Sequence, residues 1–422
     1  MIASDRLIAI SYIQRTSPAT RQSLIANIDP SESTAVDRML TLMQIAALAV
    51  GGMCHALLGS VKVPLAKKLN IDEARVGGLV SVFGLTLIPM VLAAGFLVDS
   101  LGKQAVLAAG FILLIVSLTM LARLTTYPTA LVAVLALGTG WSALVNVLNV
   151  TSPPAFLPPS DIPRRMAYAM NMGDFVFGLG AFVTPILVAV LIRSIGLART
   201  FLVLAAFSFI PLALGLGVDW QRLVSPSTET VAGGLATLLS DKIVWLCCLA
   251  FFCHVPIEAA SAAWATTLMT GKGVSETTAS ALLSMFWLTF MGSRLITALT
   301  LPEGMNTVLV ITMSALCIAF TLGIALSRSA ELTCTMVVLA GLILGPIFPT
   351  LIAILLSHVE PSLHGRTVGL FFAIGGIGWT AIPLLIGWTA KRTSIQHAFL
   401  LTTACALLLT TLSLALWANL LQ

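Results

Sequence analysis

The sequence predicts an all-α membrane protein of twelve transmembrane helices in two six-helix bundles. Three observations carry this. Of the 422 residues, 58% are hydrophobic and only 9% charged, against about 25% charged in a soluble domain, whose surface must face water. The apolar residues gather in runs of roughly 17 to 25, the length that spans a hydrocarbon core about 30 Å thick. The chain also repeats itself. A shift of 203 residues lays "IDEARVGGLVSVFGLT" over "VSETTASALLSMFWLT", so that Glu73 meets Glu276, Leu79 meets Leu282, Ser81 meets Ser284 and Phe83 meets Phe286. Leu85 and Thr86 meet Leu288 and Thr289 in the same register.

Taken in order, the apolar runs lie at 40–61, 76–98, 104–122, 128–150, 167–192, 198–218, 243–269, 276–299, 307–326, 332–356, 366–390 and 396–421. Residues 1–39 are mixed polar, and "LIAISYI" is too short for a signal-peptide core. They read as a flexible cytoplasmic tail. "NIDEAR" opens span 2 and "GKGVSET" opens span 8, with Asp72 and Ser275 as N-cap types. "TSPPAFLPPSDIPRR" separates spans 4 and 5. The polar stretch 219–242 reads as a central cytoplasmic linker, dividing an N-terminal bundle at 40–218 from a C-terminal bundle at 243–422. A second echo joins spans 5 and 11, where Gly178, Gly180 and Pro185 recur as Gly376, Gly378 and Pro383. Two halves repeated in the same order are related by an axis along the membrane normal, with the substrate site at their interface.

Several classes are excluded. The net charge of +5 is scattered over loops and forms no nucleic-acid surface. The seven cysteines all fall in apolar runs and suggest neither disulfides nor a metal cluster. No catalytic constellation, Walker-type phosphate loop or soluble nucleotide domain is present, so no enzyme and no cofactor is expected. The lysines and arginines divide evenly between the two sides, so the positive-inside rule gives no orientation.

"GFLVDSLGKQAVL" lies between spans 2 and 3 and resembles the loop signature of the major facilitator superfamily. Gly95, Asp99, Gly102 and Lys103 match it, while Ser100 and Gln104 stand where basic residues are usual. The resemblance covers residues 40–420 and implies a cytoplasmic 2–3 loop, both termini inside and a multi-pass protein of the cell membrane, plasma or bacterial inner. It also assigns Gly95, Asp99, Gly102 and Lys103 to the conformational gate, with Arg294 steadying the gate rather than touching substrate. Within the superfamily, "HVPIEAASAAW" is similar to the span-7 stretch of the fucose, galactose and glucose symporters. It keeps Val255, Glu258 and Trp264, with His254 and Pro256 as departures. Asn171-x-x-Asp174 before Gly178 and Gly180 resembles the same branch, as does "GLILGPIFPTLIA" in span 10. The branch's acids in spans 1 and 4 are missing. Span 1 offers Gln44 and His55, span 4 Asn146 and Asn149.

Glu258 is the central candidate. A charged side chain at mid-bilayer costs about 2.5–3.5 kcal/mol, so such residues usually face a cavity. The competing reading is a protonated Glu in a static interhelical hydrogen bond. His254, Glu258 and Ser261 share a helical face, and Pro256 is expected to kink that helix and free the carbonyl of Phe252. His55 is the repeat equivalent of Glu258, 203 residues earlier. An imidazole facing a carboxylate across water can bind and release a proton, or else sit neutral against a backbone carbonyl. Asp174, one turn from Asn171, either serves the site or pairs with Arg164 or Arg165. Asn146 and Asn149 suit hydroxyl recognition or interhelical bonding, and Trp264 suits a sugar's apolar face.

The expectation is a monomeric secondary transporter of a small polar solute, a sugar first, with H⁺ as coupling ion and Na⁺ as the alternative. Its partners are that solute and the bilayer. Two rivals stand beside it: an exporter walled by Met285, Phe286, Phe290 and Phe371, and a transporter-shaped scaffold that moves nothing.

Overall fold

The computed structural model describes residues 36–123, 125–223 and 234–421. The expected tail at 1–39 therefore lies outside the described residues except for its last four, as does the linker between 224 and 233. The described chain is helical, and twelve helices are long and apolar enough to cross a membrane. In the first half these are α1 Arg38–Ser60, α2 Glu73–Leu101, α3 Lys103–Arg123, α4 Tyr127–Phe156, α5 Ile162–Ile195 and α6 Leu197–Gly215. The second half holds α7 Lys242–Thr270, α8 Glu276–Thr300, α9 Asn306–Leu326, α10 Ala330–His358, α11 His364–Arg392 and α12 Leu400–Leu420.

The 203-residue shift runs through the whole fold. It relates the starts of α2 and α8, α3 and α9, α4 and α10, and α6 and α12. The cap chemistry repeats too. Asp72 accepts from the Arg75 N–H at 2.7 Å and Ser275 from the Thr278 N–H at 3.2 Å, each satisfying an orphan donor of the first turn. Lys68 donates to the last carbonyls of α3, Leu121 and Ala122, while Lys272 donates to Ser327 at the end of α9 and to Thr333. Positive charge at a helix C-terminus is favourable in both places.

The glycine echo has a packing cause. A Cβ on Gly180 of α5 would enter the carbonyl of Ala49 in α1, and one on Gly378 of α11 the carbonyl of Phe252 in α7. Ala49 and Phe252 are themselves 203 apart. Only glycine lets the backbones approach so closely. Pro256 cannot donate to the Phe252 carbonyl, which meets the Gly378 backbone instead.

α7 carries Pro256 within one helical segment. Three features go beyond the sequence reading. A break falls in α10, between segments Ala330–Leu344 and Ile347–His358, where Gly345 and Pro346 interrupt the ladder. α4 runs on to Phe156, with Pro153 and Pro154 in its final turns. A short helix, Lys62–Leu69, follows α1 where a plain loop was expected.

Each half has its own core, and the cores interlock on one side only. Val150, Met166, Ala167 and Met170 of the first half pack into the second half's core, and Ala373 of α11 into the first's. All lie toward the side of the α2–α3 loop, here the motif side. Large apolar side chains are exposed along α5, α8 and α11, among them Leu179, Phe182 and Ile186 of α5, Met285, Ile296 and Leu299 of α8, and Leu384 and Leu385 of α11. The halves are joined on the motif side by the contacts of Asp99 with the head of α11.

Candidate functional site

Ionisable side chains of α1, α5, α7 and α8 lie at similar depths along their helices. At 1.5 Å rise per residue, His55 lies about 26 Å along α1, Glu258 about 24 Å along α7 and Asp174 about 18 Å along α5, all counted from the motif side. His55 is exposed, with its ring 5.7 Å from that of Phe177. Glu258 is 16% exposed. One turn below, His254 is fully buried, its Nε2 3.6 Å from Glu258 Oε2 and neither ring nitrogen hydrogen-bonded. That separation suits an ion pair and is too long for a hydrogen bond.

Asp174 does not reach Arg164 or Arg165. Its carboxylate faces Arg294 of α8 at 3.8 Å, across the interface between halves. Arg294 is held by three contacts. It donates to the carbonyl of Gly345 at 3.0 Å and to that of Asp174 at 3.4 Å, and it lies over the Phe290 ring. The break in α10 thus turns a carbonyl toward Arg294. Asp174 also lines a small polar cavity with Asn149 and Ser152, of about 20 Å³. That is room for roughly one water and far less than a sugar needs.

The amides divide by what their N–H groups already serve. Asn146 donates to Val91 of α2 and is buried. Asn171 donates to Ala167 and to Thr350 of α10 in the other half. Asn149 bonds only within its own helix, to Val145, and borders the cavity. Trp264 is half-buried and lies against Gly387 of α11.

The gate residues meet partners that sequence reasoning did not find. The Asp99 carboxylate accepts from the N–H of Gly365 at 2.9 Å and of Arg366 at 3.0 Å, two free donors of the first turn of α11. The Arg366 guanidinium is 3.5 Å away. Gly95 and Gly365 lie backbone to backbone, so a side chain on either would part α2 from α11. Lys103 donates to the carbonyl of Leu223, and Gly102 has φ +88, which ends α2 at low cost. Gly365, Arg366, Thr350 and the Gln44–Thr151–Ser152 network went unread. "GRT" at the head of span 11 was the available signal for the first two, being a glycine and a cation at a helix start.

Two homologous six-helix halves, ionisable groups at similar depths in both and a side-specific clamp define a membrane transporter and not an enzyme. The profile of the Major Facilitator Superfamily matches residues 44–304, and the chain belongs to that family. Over 179 residues it is 25% identical to Bypass of stop codon protein 6 of Saccharomyces cerevisiae, a match covering 40% of this chain and 36% of that protein. Among solved structures, the E. coli fucose:proton symporter FucP superposes with a TM-score of 0.74 at 15% identity, over 90% of this chain and 97% of that one. The human organic anion transporter MFSD10 gives 0.70 at 16%, over 92% and 100%. The proton:xylose symporter XylE gives 0.68 at 12%, over 90% and 95%.

Proposed function

We propose that this protein is a secondary active transporter that moves a small polar organic solute, a sugar first, by rocking its two halves around the central site. Proton movement through Glu258, with Asp174 and His55, drives the cycle. What supports this is the placement of those three side chains at similar depths on α7, α5 and α1, with Asp174 facing Arg294 of the other half. Rocking alters the separation between charges on opposite halves, and with it the affinity of each for a proton. That is what coupling requires. Asn149 has the amide best placed for solute hydroxyls, since Asn146 and Asn171 spend their donors on other helices. The symporters FucP and XylE share the fold, which supports a sugar as first choice.

In this reading the protein is a monomer in the cell membrane, with its motif loop and both termini cytoplasmic. The exporter reading is set aside, because Phe286, Phe290 and Phe371 of its expected wall are buried in the second half's core. The test is solute-induced pH change in proteoliposomes, screened across monosaccharides. Alkalinisation outside with one sugar, lost in Glu258→Gln while counterflow persists, is the expected result. Uptake that follows Na⁺ instead of pH would remove the proton from the scheme. Absence of both flux and counterflow would leave only a scaffold.

A further inference from the structure

The repeat allows one interface to be compared with the other within the same molecule. In the α2–α11 interface, Gly95, Asp99 and Lys103 stand opposite the first turn of α11, and the Asp99 carboxylate lies beside Arg366. The 203-residue shift places Ala298, Pro302 and Asn306 at the corresponding points of α8 and the loop after it. Arg164 of α5 and Arg366 of α11 each stand in the first turn of their helix. A cation stands at the head of both helices, while proline takes the place of the carboxylate. Where the carboxylate would sit there is a cavity of about 60 Å³, bordered by Arg164, Arg165, Tyr168, Pro302, Glu303 and Asn306.

The cavity's chemistry is that of an anion site. Arg165 leaves helical geometry at φ −115, ψ 23 and lies 4.6 Å over the Tyr168 ring, which fixes its direction. Neither arginine forms an ion pair among the described residues, and the nearby Glu303 is exposed and bonded to neither. With about 10–15 Å³ needed per water-sized group, the space admits the oxygens of one phosphate. Guanidinium pairs recognise phosphate through parallel charge-assisted hydrogen bonds. The site lies where α5 begins and α8 ends, at the depth of lipid headgroups. We propose that this cavity binds an exogenous phosphate group, from an anionic lipid headgroup or a small soluble phosphate. The bound anion braces α5 against α8 as Asp99 braces α2 against α11.

The experiment uses the full chain in phosphatidylcholine nanodiscs and follows unfolding by tryptophan fluorescence. One arm adds phosphatidylglycerol to the bilayer, the other adds inorganic phosphate to the buffer. The expected result is a midpoint raised by about 2–4 °C in at least one arm. Response to phosphatidylglycerol alone assigns a headgroup, and response to phosphate assigns a small ligand. The rise is lost in R164Q/R165Q and kept in K242Q, whose cation lies outside the cavity. Pro302→Asp, which restores a carboxylate in cis, is expected to raise the midpoint in phosphatidylcholine alone and to abolish any further response. No shift in either arm overturns the proposal. An undiminished shift in R164Q/R165Q, or a wild-type response in Pro302→Asp, overturns it as well.

Discussion

Asp99→Asn is expected to open the motif side, by an amount the structure allows to be worked out. The Asp99 side chain is 6% exposed and accepts two main-chain N–H groups, with a guanidinium 3.5 Å away. Hydrogen bonds to a charged group contribute about 1.5–3 kcal/mol each, neutral ones about 0.5–1.5. Asparagine keeps one oxygen, loses the charge and turns an NH₂ toward the second N–H. The closed interface then loses roughly 2–4 kcal/mol, while the opened one, where water solvates either side chain, loses little. At about 1.4 kcal/mol per factor of ten, the ratio of open to closed rises by roughly 30- to 1000-fold. Thr350 reports on this, because it is fully buried on the motif side and bonded across the interface to Asn171. In a protein whose seven native cysteines are replaced, Thr350→Cys should react with a hydrophilic maleimide at least tenfold faster when Asp99→Asn is present. Asp72→Asn, a cap far from the interface, serves as control. A rate unchanged within twofold would mean that the Asp99 bonds do not hold the halves together, and the clamp argument would fail.

Three further outcomes follow from the same coordinates. Gly180→Ala and Gly378→Ala each drive a methyl into a backbone carbonyl and should lower the unfolding midpoint by the equivalent of about 1–3 kcal/mol. Gly59→Ala, with open space at its Cβ, should be neutral by the same thermal assay. Asp241 caps α7 and meets His358 at 2.8 Å. Burial raises its carboxyl, but the bonds from His358 and from the N–H groups of Val244 and Ile243 outweigh that and hold it below the ordinary 3.8. A depressed carboxyl stabilises fully above its unfolded value and loses that contribution as pH falls through the folded one. Wild type should therefore lose its midpoint advantage over Asp241→Ala, about 1 kcal/mol for the cap, only below pH 3.8; an advantage already gone at pH 5 would contradict this. Finally, Lys272→Met removes the donor to Ser327 and Thr333 and should cost about 1 kcal/mol, read as a lower midpoint and faster proteolysis at the α9–α10 loop.

The sequence alone determined the number of spans, their order and the internal repeat. Each of these follows from a local requirement. Every segment that crosses lipid must be long and apolar enough by itself, whatever its neighbours do. A single sixteen-residue match therefore sufficed to set the register of four helix pairs, and Glu258 stood out because one charge in such a segment demands a reason. Partners were another matter. Asp174 pairs with Arg294, 120 residues away, instead of the arginines nearby in sequence. Asp99 finds the head of α11, and Asn146 and Asn171 turn out to be committed to other helices. α10 breaks at Gly345 and Pro346. These outcomes depend on how far each helix is rotated and how deep it sits against its neighbours. Lipid, apolar on every side, leaves that rotation undecided. Only the close approach of backbones at Gly95, Gly180, Gly365 and Gly378, which the complete tertiary structure brings about, decides it.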